Sequence, residues 1–189
     1  MANKVKFGLC NVHIAPITAV SQSAVTYGEP FALKGAVNLT LDPEGESADF
    51  YGDNTKYFSE YANQGYSGSL EIALISDEFR KQILGEIQDT NGAFIESTND
   101  TIKDFALGFQ INGDKANRKF WFYNVSAQRP STNSQTIEAS KEPVTDTLNI
   151  TAIPRITDNK VRAFLEETEE NKTAYDAFFE SVYEAQQSV

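Results

Sequence analysis

The chain has 189 residues and a formal net charge of −11, from 16 Lys and Arg against 27 Asp and Glu. That length suffices for the core of one domain, and the carboxylate excess argues against gripping the outside of a nucleic acid, since phosphate contacts require Lys and Arg. No apolar run approaches the roughly 20 residues of a membrane-spanning helix, no secretory leader is legible, so synthesis in a cytoplasm is expected, and the single cysteine, Cys10, excludes an intrachain disulfide or a cysteine metal cluster.

Residues 3–20 alternate loosely between apolar and polar and predict a strand. After the turn signal Tyr27-Gly28-Glu29-Pro30, the run 31–43 alternates cleanly, with Leu39 and Leu41 against Asn38 and Thr40, which predicts a strand with one apolar face. Two shorter extended pieces follow, split by Gly52-Asp53-Asn54, a turn-forming triplet. Residues 68–75 alternate again, with Leu70, Ile72 and Leu74 opposed to Glu71 and Ala73. At 76–85 the pattern becomes helical. Ser76 suits an N-cap, Asp77 and Glu78 complement the positive end, and Gly85 suits the residue past the C-cap.

Strands are then predicted over 105–113, over the aromatic and β-branched run 119–128, and over 144–154, with an exposed loop at 129–142. From 157 the character changes. The stretch 160–187 contains neither Gly nor Pro, and Tyr175, Phe178, Phe179, Val182 and Tyr183 recur at helical spacing. A helix over 160–187, interrupted near Asn171, is the expectation. The architecture is therefore mainly β, an antiparallel sandwich or barrel over 1–156 with one short flanking helix at about 76–85, followed by a helical C-terminal extension over 157–189.

Chemistry is hard to find in this sequence. There is no nucleophile elbow, P-loop, dinucleotide fingerprint or zincin motif. His13, the only histidine, lies in a strand without a sequence-near carboxylate and reads as structural. The densest acids are Asp42, Glu44, Glu46, Asp49 and Asp53; they have the wrong spacing for a calcium loop, with Gly fourth and Asp twelfth, and read as a solvated or lumen-facing acidic loop. No catalytic, metal or cofactor residues are therefore assigned, and the chain reads as a non-enzyme. Interleaved with those acids are six rings, Phe50, Tyr51, Tyr57, Phe58, Tyr61 and Tyr66, with Lys56 the only base between 42 and 66. Single-stranded nucleic acid would need a positive groove here. Sugar stacking does not, so a carbohydrate-binding β-sandwich stays open as the competing reading.

The ordered set "NKVKFGLCNVHIAPIT", "PFALKGAVNLTLDPEGESADFYGDN", "NQGYSGSLEIALISDEFRKQILGE", "FWFYNVSAQRPS" and "EPVTDTLNITAIPR" resembles the major tail proteins, or tail tube proteins, of long-tailed phages with non-contractile tails. "EGESADFYGDN" followed by "GYSGSLEIALI" and a capped helix is its most specific part, and the similarity runs from about residue 3 to 156. The resemblance implies a structural virion protein without catalytic residues, assembled in the host bacterial cytoplasm into hexameric rings that stack as a hollow tail tube. It also implies a tape-measure protein and tail terminator or distal tail proteins as partners, with DNA passing through unbound; an accessory tail or baseplate protein joins the carbohydrate-binding module as the competing reading. In that frame Asn38, Thr40, Glu71, Asn149 and Thr151 are the candidate lumen-facing residues. The six rings between 50 and 66 become a contact with an adjacent subunit or ring, and the 129–142 loop a second such contact.

Overall fold

The computed structural model describes residues 8–113, 116–132, 134, 136 and 143–185. Among these, a nine-stranded antiparallel sheet dominates. Its members are β1 (Leu9–Val20), β2 (Val25–Tyr27), β3 (Phe31–Ala32), β4 (Ala36–Glu44), β7 (Gly65–Ile72), β10 (Phe105–Ile111), β11 (Lys119–Ala127), β12 (Asp146–Ala152) and β13 (Arg162–Leu165). The order across the sheet is β2-β1-β10-β11-β12-β7-β4, with β3 beside β1 and β13 beside β11. Two small hairpins stand apart from it: β5 (Ser47–Gly52) with β6 (Thr55–Tyr61), and β8 (Ile87–Gln88) with β9 (Phe94–Ile95).

The alternation of each strand decides what it buries. Leu70 and Ile72 of β7, Leu148 and Ile150 of β12, and Phe105 and Leu107 of β10 all enter one core. The sheet curls around that core until Leu39 and Leu41 of β4 share a groove with Leu9 of β1 and Phe109 of β10. A short helical segment plugs the core with Phe79, Ile83 and Leu84, each fully buried. It comprises α1 (Asp77–Phe79) and a π-helical turn, Arg80–Leu84. The expected punctuation holds: Ser76 Oγ accepts from the Phe79 N–H at 3.3 Å, and Gly85 closes the segment at φ 77°.

A second core lies on the opposite face of β1, β10 and β11, where Ala15, Ala106, Trp121 and Tyr123 meet Phe178 and Val182. β11 is thus buried on both faces, the physical meaning of its run of consecutive aromatics. Gly108 of β10 makes this packing possible, because a Cβ there would stand 2.9 Å from the Trp121 ring.

The C-terminal expectation needs correction. Residues 160–187 do not form one helix. Arg162–Leu165 is strand β13, and among the described residues helix is confined to α2 (Lys172–Asp176) and a 3-10 turn over Ala177–Phe179. The cause is an open ladder edge. β12 pairs only with Val125–Ala127 of β11, which leaves Lys119–Phe122 without a partner on that side, and β13 takes those hydrogen-bonding groups. That demand outweighs the local helical propensity of the stretch. Helix begins only after Asn171, the position at which the interruption is expected.

Candidate assembly surfaces

Three surfaces stand out, and the first is a polar sheet face. The side of β4, β7 and β12 that points away from the main core carries Asn38, Thr40 and Asp42 opposite Glu71, Ser69 and Ser67. On its other flank β7 meets Thr147, Asn149 and Thr151 in the same order, and Ser126 of β11 extends the row beyond Thr151. All five candidate residues, Asn38, Thr40, Glu71, Asn149 and Thr151, therefore sit together on one face. Neither Lys nor Arg interrupts these positions. Thr145 Oγ1 donates to Glu71 Oε1 at 2.5 Å, tying down one of the two carboxylates. The sequence reading missed Ser67, Ser69, Thr147 and Ser126, which strict alternation through the paired registers would have added.

The second surface is an arm. β4 and β7 do not end at the sheet edge. Their ladder continues through Gln64 N–H to Glu44 O at 2.9 Å and Ala62 N–H to Glu46 O at 3.0 Å into the β5–β6 hairpin. The expected long connection over 43–66 is thus a twisted ribbon. Gly45 sits where the two chains pinch, since a Cβ would come within 1.8 Å of the Ala62 carbonyl. At the tip Asp53 (φ 50°) and Asn54 (φ 60°) both occupy the left-handed region, the conformation that a two-residue type I′ hairpin turn requires.

Every residue of β5 and β6 except Gly52 is exposed. Phe50 pairs with Phe58 on one face of the ribbon, whereas Tyr51 and Tyr61 belong to the other, with Asp49, Lys56 and Ser59 among them. Tyr57 is 80% exposed. The rings do not form one flat platform. Tyr66 parts company with them: it lies in β7, half-buried, edge-on to Phe122 at 5.3 Å and beneath the Arg162 guanidinium.

The acids are spread along this arm. Asp42 and Glu44 end β4, Glu46 and Asp49 flank the start of β5, and Asp53 occupies the turn. Asp49 is bonded to Lys56 at 2.8 Å and to Ser59 Oγ at 2.7 Å, and chiefly the Lys56 ammonium holds its carboxyl below the usual range. The segment that would wrap a calcium ion is instead two strands. Among the described residues no three His, Cys, Asp or Glu side chains converge as a metal site.

The third feature is buried and closed. The segment 172–185 is fastened to the second core by a set of polar clasps. Trp121 Nε1 donates to Phe178 O at 2.8 Å, Lys119 Nζ to Tyr175 O at 2.7 Å, and Tyr123 Oη to Tyr183 O at 2.9 Å. Arg155, 5% exposed, lies over the Tyr123 ring and joins Asp158 to Glu184. Burial pushes the hydroxyls of Tyr123 and Tyr175 up to about 12, and the Arg155 guanidinium holds the Asp158 carboxyl far below the usual range. His13 belongs to this assembly too: its ring stacks on Phe179 at 4.6 Å, and its Nδ1 lies 2.9 Å from Asn11 O. Cys10 is half-buried, and burial pushes its thiol up. The 129–142 loop lies largely outside the described residues.

A curled sheet with one uncovered polar face and a projecting ribbon defines a protein made of contact surfaces. Residues 36–187 match the family described as phage tail tube protein, and the chain belongs to that family. It is accordingly a structural component of a phage tail, one that assembles into a tube. No curated protein matches the chain at a significant level. The family match spans the arm, the polar face and the C-terminal segment alike.

Proposed function

We propose that this chain polymerises as hexameric rings stacked into the hollow tail tube, with the polar face of β4, β7 and β12 lining the bore through which the genome is delivered. The observation that carries the reading is the composition of that face. DNA carries a phosphate charge about every 1.7 Å of its axis, and each Lys or Arg met along a narrow bore would retain it. A wall of Ser, Thr and Asn with Asp42 and Glu71 wets the bore and repels the duplex instead.

The edges of the sheet support the same reading. Among the described residues β4 pairs only with β7, and its outer edge is a template that closure of a barrel between subunits would satisfy. The arm supplies the contact between copies, because a two-stranded ribbon with aromatic residues on both faces is at best marginally stable by itself in water. Assembly follows in the host cytoplasm around a tape-measure protein, with terminator and distal tail proteins closing the ends, and the product resides in the virion tail.

Negative-stain microscopy of the concentrated protein tests this directly, with rings and hollow tubes as the expected image. Deleting 46–64 removes the arm and leaves a folded monomer without tubes. Tubes of normal appearance from that variant would refute the role of the arm. Tubes carrying Asn149→Lys are expected to retain short duplex DNA that wild-type tubes release, and equal release would remove the polar face from the bore.

A further inference from the structure

Residues 172–185 are attached differently from the strands they cover. Among the described residues, their backbone hydrogen bonds stay within the segment or reach back only to Asn171, which accepts from Tyr175 N–H at 2.8 Å. Every polar fastening to the sheet instead involves a side chain. Lys119, Trp121 and Tyr123, spaced two apart on one face of β11, donate to the carbonyls of Tyr175, Phe178 and Tyr183. Lys119 Nζ also lies 3.9 Å from the centre of the Tyr175 ring and 5.2 Å from that of Phe179, so two π faces grip the ammonium. Arg155 holds the far end through Glu184.

The apolar contacts are just as separable. Phe178 and Val182 pack with Ala15, Ala106, Trp121 and Tyr123, and no residue of 172–185 belongs to the main core. The chain just before is anchored independently. β13 pairs with β11, Glu167 N–H donates to Ala116 O at 3.1 Å, and Arg118 binds Glu166 at 2.7 Å. Between the two lies 168–171, a turn in which Thr168 N–H donates to Asn171 Oδ1 at 3.0 Å and Asn171 N–H to Thr168 Oγ1 at 3.3 Å. The ladder ends before this turn, and attachment by side chains begins after it.

We propose that 172–185 is a strap that lifts and reseats as one unit about 168–171, while the sheet, its polar face and the arm keep their structure. Lifting breaks no ladder, and the donors and carbonyls it releases are all met by water, so no buried polar group is left unpaired. Segments held in this way open with free energies below that of the whole fold. The lifted subunit presents Trp121 and Tyr123, with Ala15 and Ala106, as an apolar face that the closed subunit lacks. Arg155 and Glu184 form the outer latch. The Glu184 side chain is 53% exposed, so salt weakens this bond more than the buried ones.

Trp121 is the only tryptophan and lies fully buried beneath the strap, so its emission reports the strap, whereas far-UV circular dichroism reports the sheet. In a urea titration of the monomeric full-length protein, the red shift of Trp121 should precede the loss of sheet signal. Its dependence on urea should also be shallower, because less surface becomes exposed. Arg155→Met should raise the ratio of lifted to seated strap about thirtyfold and so move the first transition to lower urea. The second transition starts from the lifted strap and should not move. Separation of the two transitions in either protein supports the strap; coincidence in both would overturn it, since the segment would then belong to a single cooperative fold.

Glu184→Gln keeps the inference testable if Arg155→Met does not fold. Without urea, this variant should make Trp121 more accessible to acrylamide than in the wild type. Sodium chloride at about 1 M should raise quenching of the wild type and leave the variant unchanged. Equal quenching of the two proteins at low and high salt would overturn the strap as firmly as coincident transitions.

Discussion

The arm and the C-terminal segment have nearly the same ingredients. One presents Phe50, Tyr51, Tyr57, Phe58 and Tyr61, the other Tyr175, Phe178, Phe179, Val182 and Tyr183, and both are flanked by acids. In the arm all five rings face solvent; in the C-terminal segment all five apolar side chains are buried or half-buried. The difference lies in the surface within reach of each segment. The C-terminal segment returns across a sheet face that offers Trp121 and Tyr123 for apolar contact and aims Trp, Tyr and Lys donors at its carbonyls. Its non-helical end is thereby satisfied. The arm is carried outward by the ladder of β4 and β7, beyond any such face. Aromatic content alone marks a segment that needs a partner. Topology determines whether the partner is intramolecular.

The sharpest way to break this comparison is to truncate a ring in each region and measure monomer stability by chemical denaturation. Phe178→Ala opens a cavity in the second core and should destabilise the fold by about 3–5 kcal/mol. Phe58→Ala should change monomer stability by less than about 0.5 kcal/mol while suppressing assembly. Equal losses would mean that the arm is packed intramolecularly after all.

Next in size is the clasp. Arg155→Met removes the buried guanidinium that joins Asp158 to Glu184, while Asp158 keeps Lys160 and both carboxylates stay in reach of water, so a loss of about 2 kcal/mol is expected. Limited proteolysis within 166–185 should accelerate in that variant, whereas cleavage at the Asp53-Asn54 turn should not. A uniform change at both sites would argue against a local clasp.

An alkaline titration gives a smaller, graded effect. Tyr123 and Tyr175 stay neutral up to about pH 12 in the fold, against the ordinary value of about 10 in the unfolded chain. The unfolded state therefore releases protons first, so their contribution is complete below pH 10 and is lost as pH rises from about 10 to 12. Absorbance at 295 nm should show a step near pH 12 that the Tyr123→Phe and Tyr175→Phe variants lose. The smallest effect belongs to Lys56→Ala, which breaks an exposed, solvent-screened ion pair with Asp49 and should leave the denaturation midpoint unchanged.

Much of this was legible beforehand because it depends on local rules. The capped segment 76–85 is fixed by Ser76 and Gly85, the arm turn by Asp53 and Asn54, and the polar face by period-two alternation. The β8–β9 hairpin went unread, although Asp89 and Gly92 are turn residues, because two-residue strands are too short to show alternation. Glu44 and Asp42 read as members of an acidic loop, because the sequence cannot show that a ladder continues past Pro43.

What the sequence determined by itself is therefore the alternation, the caps and turns, and the division of each strand into apolar and polar sides, all set by neighbours a few residues apart. Only the tertiary structure decided that Arg162–Leu165 is a strand and that Tyr66 belongs to the core. It also decided that the C-terminal rings are covered while the arm's rings are bare. Each of these depends on backbone groups or side chains brought together from distant parts of the chain: the free edge of Lys119–Phe122 for β13, the Phe122 ring for Tyr66, and the face of Trp121 and Tyr123 for the C-terminal segment.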